Sequence, residues 1–152
     1  MRTASPVPGA KAGPDRSAYP FWVEETIRNA DTDQFQHVNN AAIASYCEAG
    51  RMGLFARPDL AAAMTGLNVV VVRLTIVFEQ ELYYPGAVQI GTRVSTIGNT
   101  SFQVAQGLYG GTGRFASSEA TCVLMERSQR RPTRVPDLMR AAFAPAARSD
   151  LP

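Results

Sequence analysis

The sequence predicts an α+β domain in which one helix packs against an antiparallel sheet. Three observations carry that expectation. Apolar residues recur at helical spacing over residues 40–55. Downstream the period changes from 3.6 to 2 and stays there through four strands. The order itself, one strand, one helix, then a run of strands joined by short turns, is that of an α+β meander.

Each element has its own signal. Residues 21–29 read as a strand because Phe21, Val23 and Ile27 lie in an aromatic and β-branched run. A polar stretch follows. From Asn40, the positions Ile43, Tyr46, Cys47, Gly50 and Leu54 mark one face of a helix. It is expected to stop near Arg57, since Pro58 disfavours helical geometry in the residue before it. Ala, Cys and Gly recur along it and few charges interrupt it, so it suits a place under a sheet. Residues 67–82 form the next strand, with Leu74, Ile76 and Phe78 on one face and Arg73, Thr75, Glu79 and Glu81 on the other. Tyr84, Pro85 and Gly86 turn the chain into a strand at 88–97. A tight turn at Gly98, Asn99 and Thr100 leads to another at 101–109, and a Gly-rich turn at 110–113 leads to the last at 115–126. That last strand carries Ala116, Ser118, Ala120, Cys122 and Leu124 on one side, a small-residue stripe that lets a helix approach closely. Residues 135–143 read as a short terminal helix begun by Pro136.

Composition bounds the function. A chain of 152 residues with 45% hydrophobic and 18% charged content is ordinary for one globular domain. We expect a disordered lead over 1–18, rich in Pro, Gly, Ser and Ala; a folded domain over 19–127; and a basic tail over 128–152 containing the short helix. The lead lacks the apolar core of a signal peptide, and no stretch is long and apolar enough to span a bilayer, so the expectation is a cytoplasmic protein without a membrane partner. The net charge of +2 is too small to argue for nucleic acid. Cys47 and Cys122 fall in expected buried positions and read as small core residues. No Cys/His spacing suits a metal.

The chemistry concentrates between the first strand and the helix, in Asp31-Thr32-Asp33-Gln34-Phe35-Gln36-His37-Val38-Asn39-Asn40. These polar groups suit acyl chemistry, which requires a group that attacks the carbonyl or activates water, and donors for the oxyanion that forms there. Asp33 is able to supply the first. The first turn of the helix, at residues 39–41, has amides without intrahelical partners and a partial positive charge, which suits the second. An isolated loop Asp is by itself a cap or turn residue, so the surrounding pattern has to decide.

That pattern resembles the Asp-x-Asp-x-x-x-His-Val-Asn-Asn signature of the hotdog-fold thioesterases. The group contains 4-hydroxybenzoyl-CoA thioesterase, the small bacterial acyl-CoA thioester hydrolases and, more distantly, acyl-ACP thioesterases. The resemblance covers roughly residues 19–127. It implies an antiparallel five-stranded sheet wrapped around a long central helix, and hydrolysis of an acyl-CoA to free acid and coenzyme A without a metal or other cofactor. Asp33 matches the second Asp, the family's catalytic carboxylate, which acts as nucleophile or general base. Asn40 matches the position whose main-chain amide binds the oxyanion. Asp31 reads as a turn or loop-holding residue. His37, the one histidine, either orients Asp33 or water or is a structural loop residue.

Three positions depart from the signature. Phe35 stands where the acyl-ACP enzymes have an amide side chain, Gln36 where Gly is common, and Ile43 where Tyr is common. Gln36 and Ile43 flank the expected acyl pocket. The missing phenol hydroxyl and the added Phe35 favour an apolar acyl group, so Phe35 and Ile43 are assigned to substrate binding. Glu48 is the rival catalytic carboxylate, because a second branch uses a Glu on the central helix. Glu48 and Arg51 also fit a Glu-x-x-Arg pattern, where an ion pair at three-residue spacing is the simpler reading, and Asp33 is preferred.

Arg127, Arg130, Arg131 and Arg134 follow the last strand. The last three are candidates for the phosphates of coenzyme A, since guanidinium forks suit phosphate geometry, against the plainer reading of a solvated basic tail. A lone hotdog sheet leaves strand edges open, so a homodimer or a homotetramer of dimers is expected, with active sites at a subunit boundary and the Thr75 and Val77 side of the long strand between dimers. The alternatives are an acyl-carrier-protein thioesterase and a non-catalytic acyl-binding hotdog protein; the presence of Asp33 speaks against the second.

Overall fold

The sheet combines pairings of consecutive strands with two pairings between strands that are not consecutive. In the computed structural model, which describes residues 15–111 and 113–147, the strands β1 (Phe21–Ile27), β2 (Leu67–Phe78), β3 (Gly86–Ile97), β4 (Ser101–Gly110) and β5 (Gly113–Glu126) pair antiparallel in the order β1-β3-β4-β5-β2. A two-residue strand, β6 (Arg131–Pro132), adds to β5 and makes the sheet six-stranded. Helix α1 (Asn40–Phe55) packs against β1, β3 and β4. The helix implied to be long has 16 residues, about 24 Å of rise. The lead expected over 1–18 lies outside the described residues except at 15–18, where a 3-10 turn spans Arg16–Ala18.

Several boundaries differ from expectation for local reasons. β1 ends at Ile27, two residues early, because a 3-10 turn, Asn29–Asp31, begins there. The Asp31 carboxylate accepts the Arg28 amide at 2.8 Å, and this side-chain bond replaces the ladder. α1 starts where expected, with the Asn39 side chain capping the Ala42 amide at 2.7 Å. Pro58 follows its end, and it also opens a second helix, α2 (Pro58–Ala63), that periodicity did not reveal. β2 stops at Phe78 instead of continuing to Leu82, since the amides of Glu79 and Gln80 turn to share the Phe115 carbonyl at 2.8 and 3.1 Å.

The core has two parts. One lies under the first half of α1 and joins Ile27, Val38, Ile43, Tyr46, Cys47, Ile90 and Leu108. The other joins Leu54, Phe55, Phe102, Cys122 and Leu124 to Val135, Met139 and Phe143. Those last three are fully buried and stand four residues apart on or just before α3 (Asp137–Ala147). The folded unit therefore runs past the expected boundary at 127, through the segment read as a basic tail, to at least Phe143.

The expected small-residue stripe, Ala116, Ser118, Ala120, Cys122 and Leu124, is buried throughout. Close approach of α1 depends on Gly50, where a Cβ would strike the Gln106 side-chain amide and come within 2.6 Å of Ile90 Cγ2. Gln106 is fully used here. It donates to the Cys47 carbonyl at 3.0 Å and Thr92 Oγ1 at 3.1 Å, and accepts from Ser118 Oγ at 3.0 Å and Arg51 at 3.4 Å. Cys47 and Cys122 are free and buried. Burial pushes both thiols up, that of Cys122 to about 11, which leaves them unreactive near neutral pH.

β2 forms one edge of the sheet, and it is unusually apolar for an edge. By register Val71, Leu74 and Phe78 share the α1 side with Cys122, Ala120 and Ala116, while Val70 and Val77 face the other way with Val123 and Ser117. All five are exposed. A bulge interrupts the pairing between Val71 and Arg73. No helix among the described residues is long and apolar enough to cross a membrane.

Candidate active site

The loop between β1 and α1 is organised by two aspartates with different jobs. Asp31 is 3% exposed and holds the loop, as its sequence position suggested. It accepts the Arg28 amide, the Arg28 guanidinium at 2.7 Å and the Tyr46 hydroxyl at 2.7 Å, while its own carbonyl accepts the Asn39 amide at 2.8 Å. The Arg28 guanidinium, chiefly, and then the Arg28 amide and Tyr46 hydroxyl hold its carboxyl down at about 2, against the opposing effect of burial. The Tyr46 phenol is pushed up, first by burial and then by its bond to the same carboxylate.

Asp33 is exposed. Its Oδ1 accepts the Phe35 amide at 2.8 Å and the His37 amide at 3.2 Å. The backbone closes around it, with Asp33 N donating to the His37 carbonyl at 2.9 Å and Gln36 N to the Asp33 carbonyl at 3.0 Å. Gln36 adopts φ +67°, the left-handed conformation for which glycine is the usual residue. This is the backbone reason that Gly is common at this place in the signature. Oδ2 has no hydrogen-bond partner among the described residues, so one carboxylate oxygen is tied to the loop and the other faces out.

Asn39 caps α1, and the next two amides, of Asn40 and Ala41, have no acceptor among the described residues. They form the exposed positive end of the helix. The structure thus brings Asp33, His37 and Asn40 together on one loop and helix start. Phe35, 66% exposed, sits at the tip of the same turn. Ile43, expected to bind substrate, is instead buried in the core with Val38 and Tyr46.

The His37 imidazole points away from the turn's interior. Its ring meets Tyr83 edge to face at 5.1 Å, and Nε2 lies 3.6 Å from Glu81 Oε1. Glu81 and Tyr83 belong to the β2–β3 connection, and sequence reasoning missed them as neighbours of the loop. Nothing local in the sequence links residues some 45 positions apart.

Two other expectations come out differently. Glu48 is exposed on α1 and makes no ion pair with Arg51 among the described residues. Arg51 is 5% exposed, reaches Gln106 instead, and leaves its Nε without a partner. Arg130, Arg131 and Arg134 are exposed and lie at the Leu67 end of β2, whereas the loop lies beyond the Phe78 end. Within one chain they do not meet the Asp33 loop. Arg131 stands 3.8 Å from Glu126, and Arg134 pairs with Asp137 at 3.0 Å. Among the described residues no group of three or more His, Cys, Asp or Glu side chains could hold a metal ion.

A family model for the thioesterase-like superfamily matches residues 27–143. A predicted thioesterase from Bacillus stearothermophilus is similar in structure, with TM-score 0.73 and 27% identity over 83% of this chain and 95% of the other. A thioesterase from Thermus thermophilus, crystallised with coenzyme A and Zn, has TM-score 0.75 and 25% identity over 86% and 96%. A DHNA-CoA thioesterase from Staphylococcus aureus shares the fold at TM-score 0.68 and 16% identity over 83% and 87%. No curated protein sequence gives a significant match. The match covers most of the chain, including the loop of Asp33 and every strand after β1, and the chain belongs to the thioesterase-like superfamily of thioester hydrolases.

Proposed function

We propose that the protein hydrolyses acyl-CoA thioesters to the free acid and coenzyme A. One observation carries this reading: the Asp33 carboxylate, anchored through one oxygen, lies on the short loop that leads into the amides of Asn40 and Ala41, which have no acceptor among the described residues. Asp33 attacks the thioester carbonyl or activates water, and the helix-end amides receive the oxyanion. Exposed Phe35 would meet an apolar acyl group, whereas Ile43, expected beside it, is buried in the core and would shape the site only from beneath the surface. A thioesterase similar in structure was crystallised with coenzyme A, which supports coenzyme A as the carrier. The test is thiol release across aliphatic and aromatic acyl-CoAs, with an acyl carrier protein thioester alongside. Faster turnover of the carrier-protein substrate would favour the alternative carrier. No release from any substrate would leave a non-catalytic acyl-binding protein.

Assembly belongs to the same reading. The edge strand β2 exposes Val70, Val71, Leu74, Val77 and Phe78, and its open backbone groups are a liability that pairing with a second copy removes. Two identical edges related by a twofold axis pair antiparallel, so the Leu67 end of one β2 meets the Phe78 end of the other. That brings the arginines of one copy toward the Asp33 loop of its partner, and it puts each active site at a subunit boundary. Thr75 and Val77 then remain on the outer face, available for dimers to associate. Light scattering at micromolar concentration should show a dimer or tetramer; a stable monomer would refute the arrangement.

The arginines provide a second check. Replacing Arg130, Arg131 and Arg134 together by Ala should raise KM for acyl-CoA by roughly tenfold, as expected for lost charge-assisted phosphate contacts. KM for a short acyl-pantetheine, which lacks the nucleotide, should stay the same. Equal effects on both substrates would reduce the cluster to a solvated surface.

A further inference from the structure

The β2–β3 connection presses against the His37 side of the loop, and it is held firmly to do so. At its start Glu79 pairs with Arg114 at 2.9 Å, both mostly buried, and the Glu79 and Gln80 amides bond the Phe115 carbonyl. Further on, the Leu82 carbonyl accepts the Val38 amide at 2.8 Å, and Tyr83 bridges to His37. Between these anchors the Tyr83 hydroxyl donates to Glu81 Oε2 at 2.6 Å, which leaves Oε1 facing His37 Nε2. The imidazole therefore packs edge to face on the Tyr83 ring, and its far nitrogen stands 3.6 Å from a carboxylate oxygen, within ion-pair reach though longer than a hydrogen bond.

His37 in turn closes the Asp33 turn with its backbone, through its amide to Asp33 Oδ1 and its carbonyl to Asp33 N. The ring packing, the backbone bridge and the nearby Glu81 carboxylate thus bear on the residue whose backbone closes around the Asp33 carboxylate. We propose that Glu81, assisted by Tyr83, is a positioning residue for the thioester site and acts on Asp33 through His37. The inference rests on Asp33 being the reacting carboxylate. A contact between partly exposed charges contributes little to stability, whereas a small misplacement of a reacting group lowers the rate considerably. Its signature therefore belongs in turnover, not in melting.

The test is a double-mutant cycle on the full chain, assayed with the best acyl-CoA found. Glu81→Ala should lower kcat roughly tenfold and leave KM within about twofold and the melting temperature unchanged. Tyr83→Phe keeps the ring, loses the hydroxyl that holds Glu81, and should act in the same direction with a smaller effect. In an Asp33→Asn background Glu81→Ala should cost nothing more, because there is no carboxylate left to aim. Unchanged kcat in Glu81→Ala would overturn the inference, and so would an equal loss in both backgrounds. The chain has one histidine, so a single set of imidazole resonances reports the contact independently of activity, and Glu81→Ala should shift them. If Asp33→Asn itself turns over normally, the reading of Asp33 fails separately. The link between Glu81 and His37 would then stand on a shift of those resonances and fall without one.

Discussion

Asp33→Asn should lower turnover by roughly two to four powers of ten, the range for losing a positioned acid or base. The substitution keeps the size of the side chain and an oxygen able to accept the Phe35 and His37 amides, so the turn that Oδ1 organises survives. It removes the charge, and with it both anhydride formation and water activation. Because Asp33 is exposed, the melting temperature should barely move. Glu48→Gln is the matched control. Glu48 is exposed and makes no ion pair with Arg51 among the described residues, so this change should cost little activity and little stability. A stable, inactive Glu48→Gln enzyme beside a normal Asp33→Asn enzyme would reverse the assignment and move the chain to the Glu-using branch.

Asp31→Ala should do the opposite, damaging the fold first and the activity through it. Removing this carboxylate leaves the buried Tyr46 hydroxyl without its acceptor and uncaps the turn whose Arg28 amide it holds. The Arg28 guanidinium is largely in solvent, so water screens its hold on the carboxylate. Losing a buried acceptor and a turn cap costs about 2–3 kcal/mol, or roughly 5–10 °C in melting temperature for a domain of this size. Calorimetry measures it directly. The pH dependence has a definite sign. Asp31 titrates near 2 when folded and at 3.8 when not, so its ionised form stabilises the protein above pH 3.8 and that contribution is lost as the pH falls toward 2. In Asp31→Asn the acid loss of stability across that window should flatten; an unchanged acid curve would mean that the carboxylate is not held as the structure has it.

Much of this protein is legible along the chain because the relevant physics is local. Alternation placed β3, β4 and β5 within a few residues of their ends, and the cap at Asn39 with helical spacing beyond it located α1. The Asp-x-Asp-x-x-x-His-Val-Asn-Asn run identified the loop, since a turn closing on itself uses residues four apart or fewer. A positive φ at Gln36 explains the common Gly there, but reading that strain required the backbone.

The tertiary structure decided what depends on contacts between distant segments. Whether residues 135–143 were tail or core turned on their meeting Leu54, Phe102 and Leu124, which a charge-rich flank hides. By spacing alone Arg51 has a partner one turn back, yet packing against the sheet takes its guanidinium to Gln106, 55 positions on, and leaves Glu48 in water. The same holds for the neighbours of His37: Glu81 and Tyr83 read as strand and turn residues until the β2–β3 connection folds against the loop. By itself the sequence determined periods, caps, turns and the candidate loop, because each is set by residues within a few positions of one another. Only the fold decided which distant side chains come to lie against that loop, because burial and pairing across the sheet depend on where distant strands come to lie.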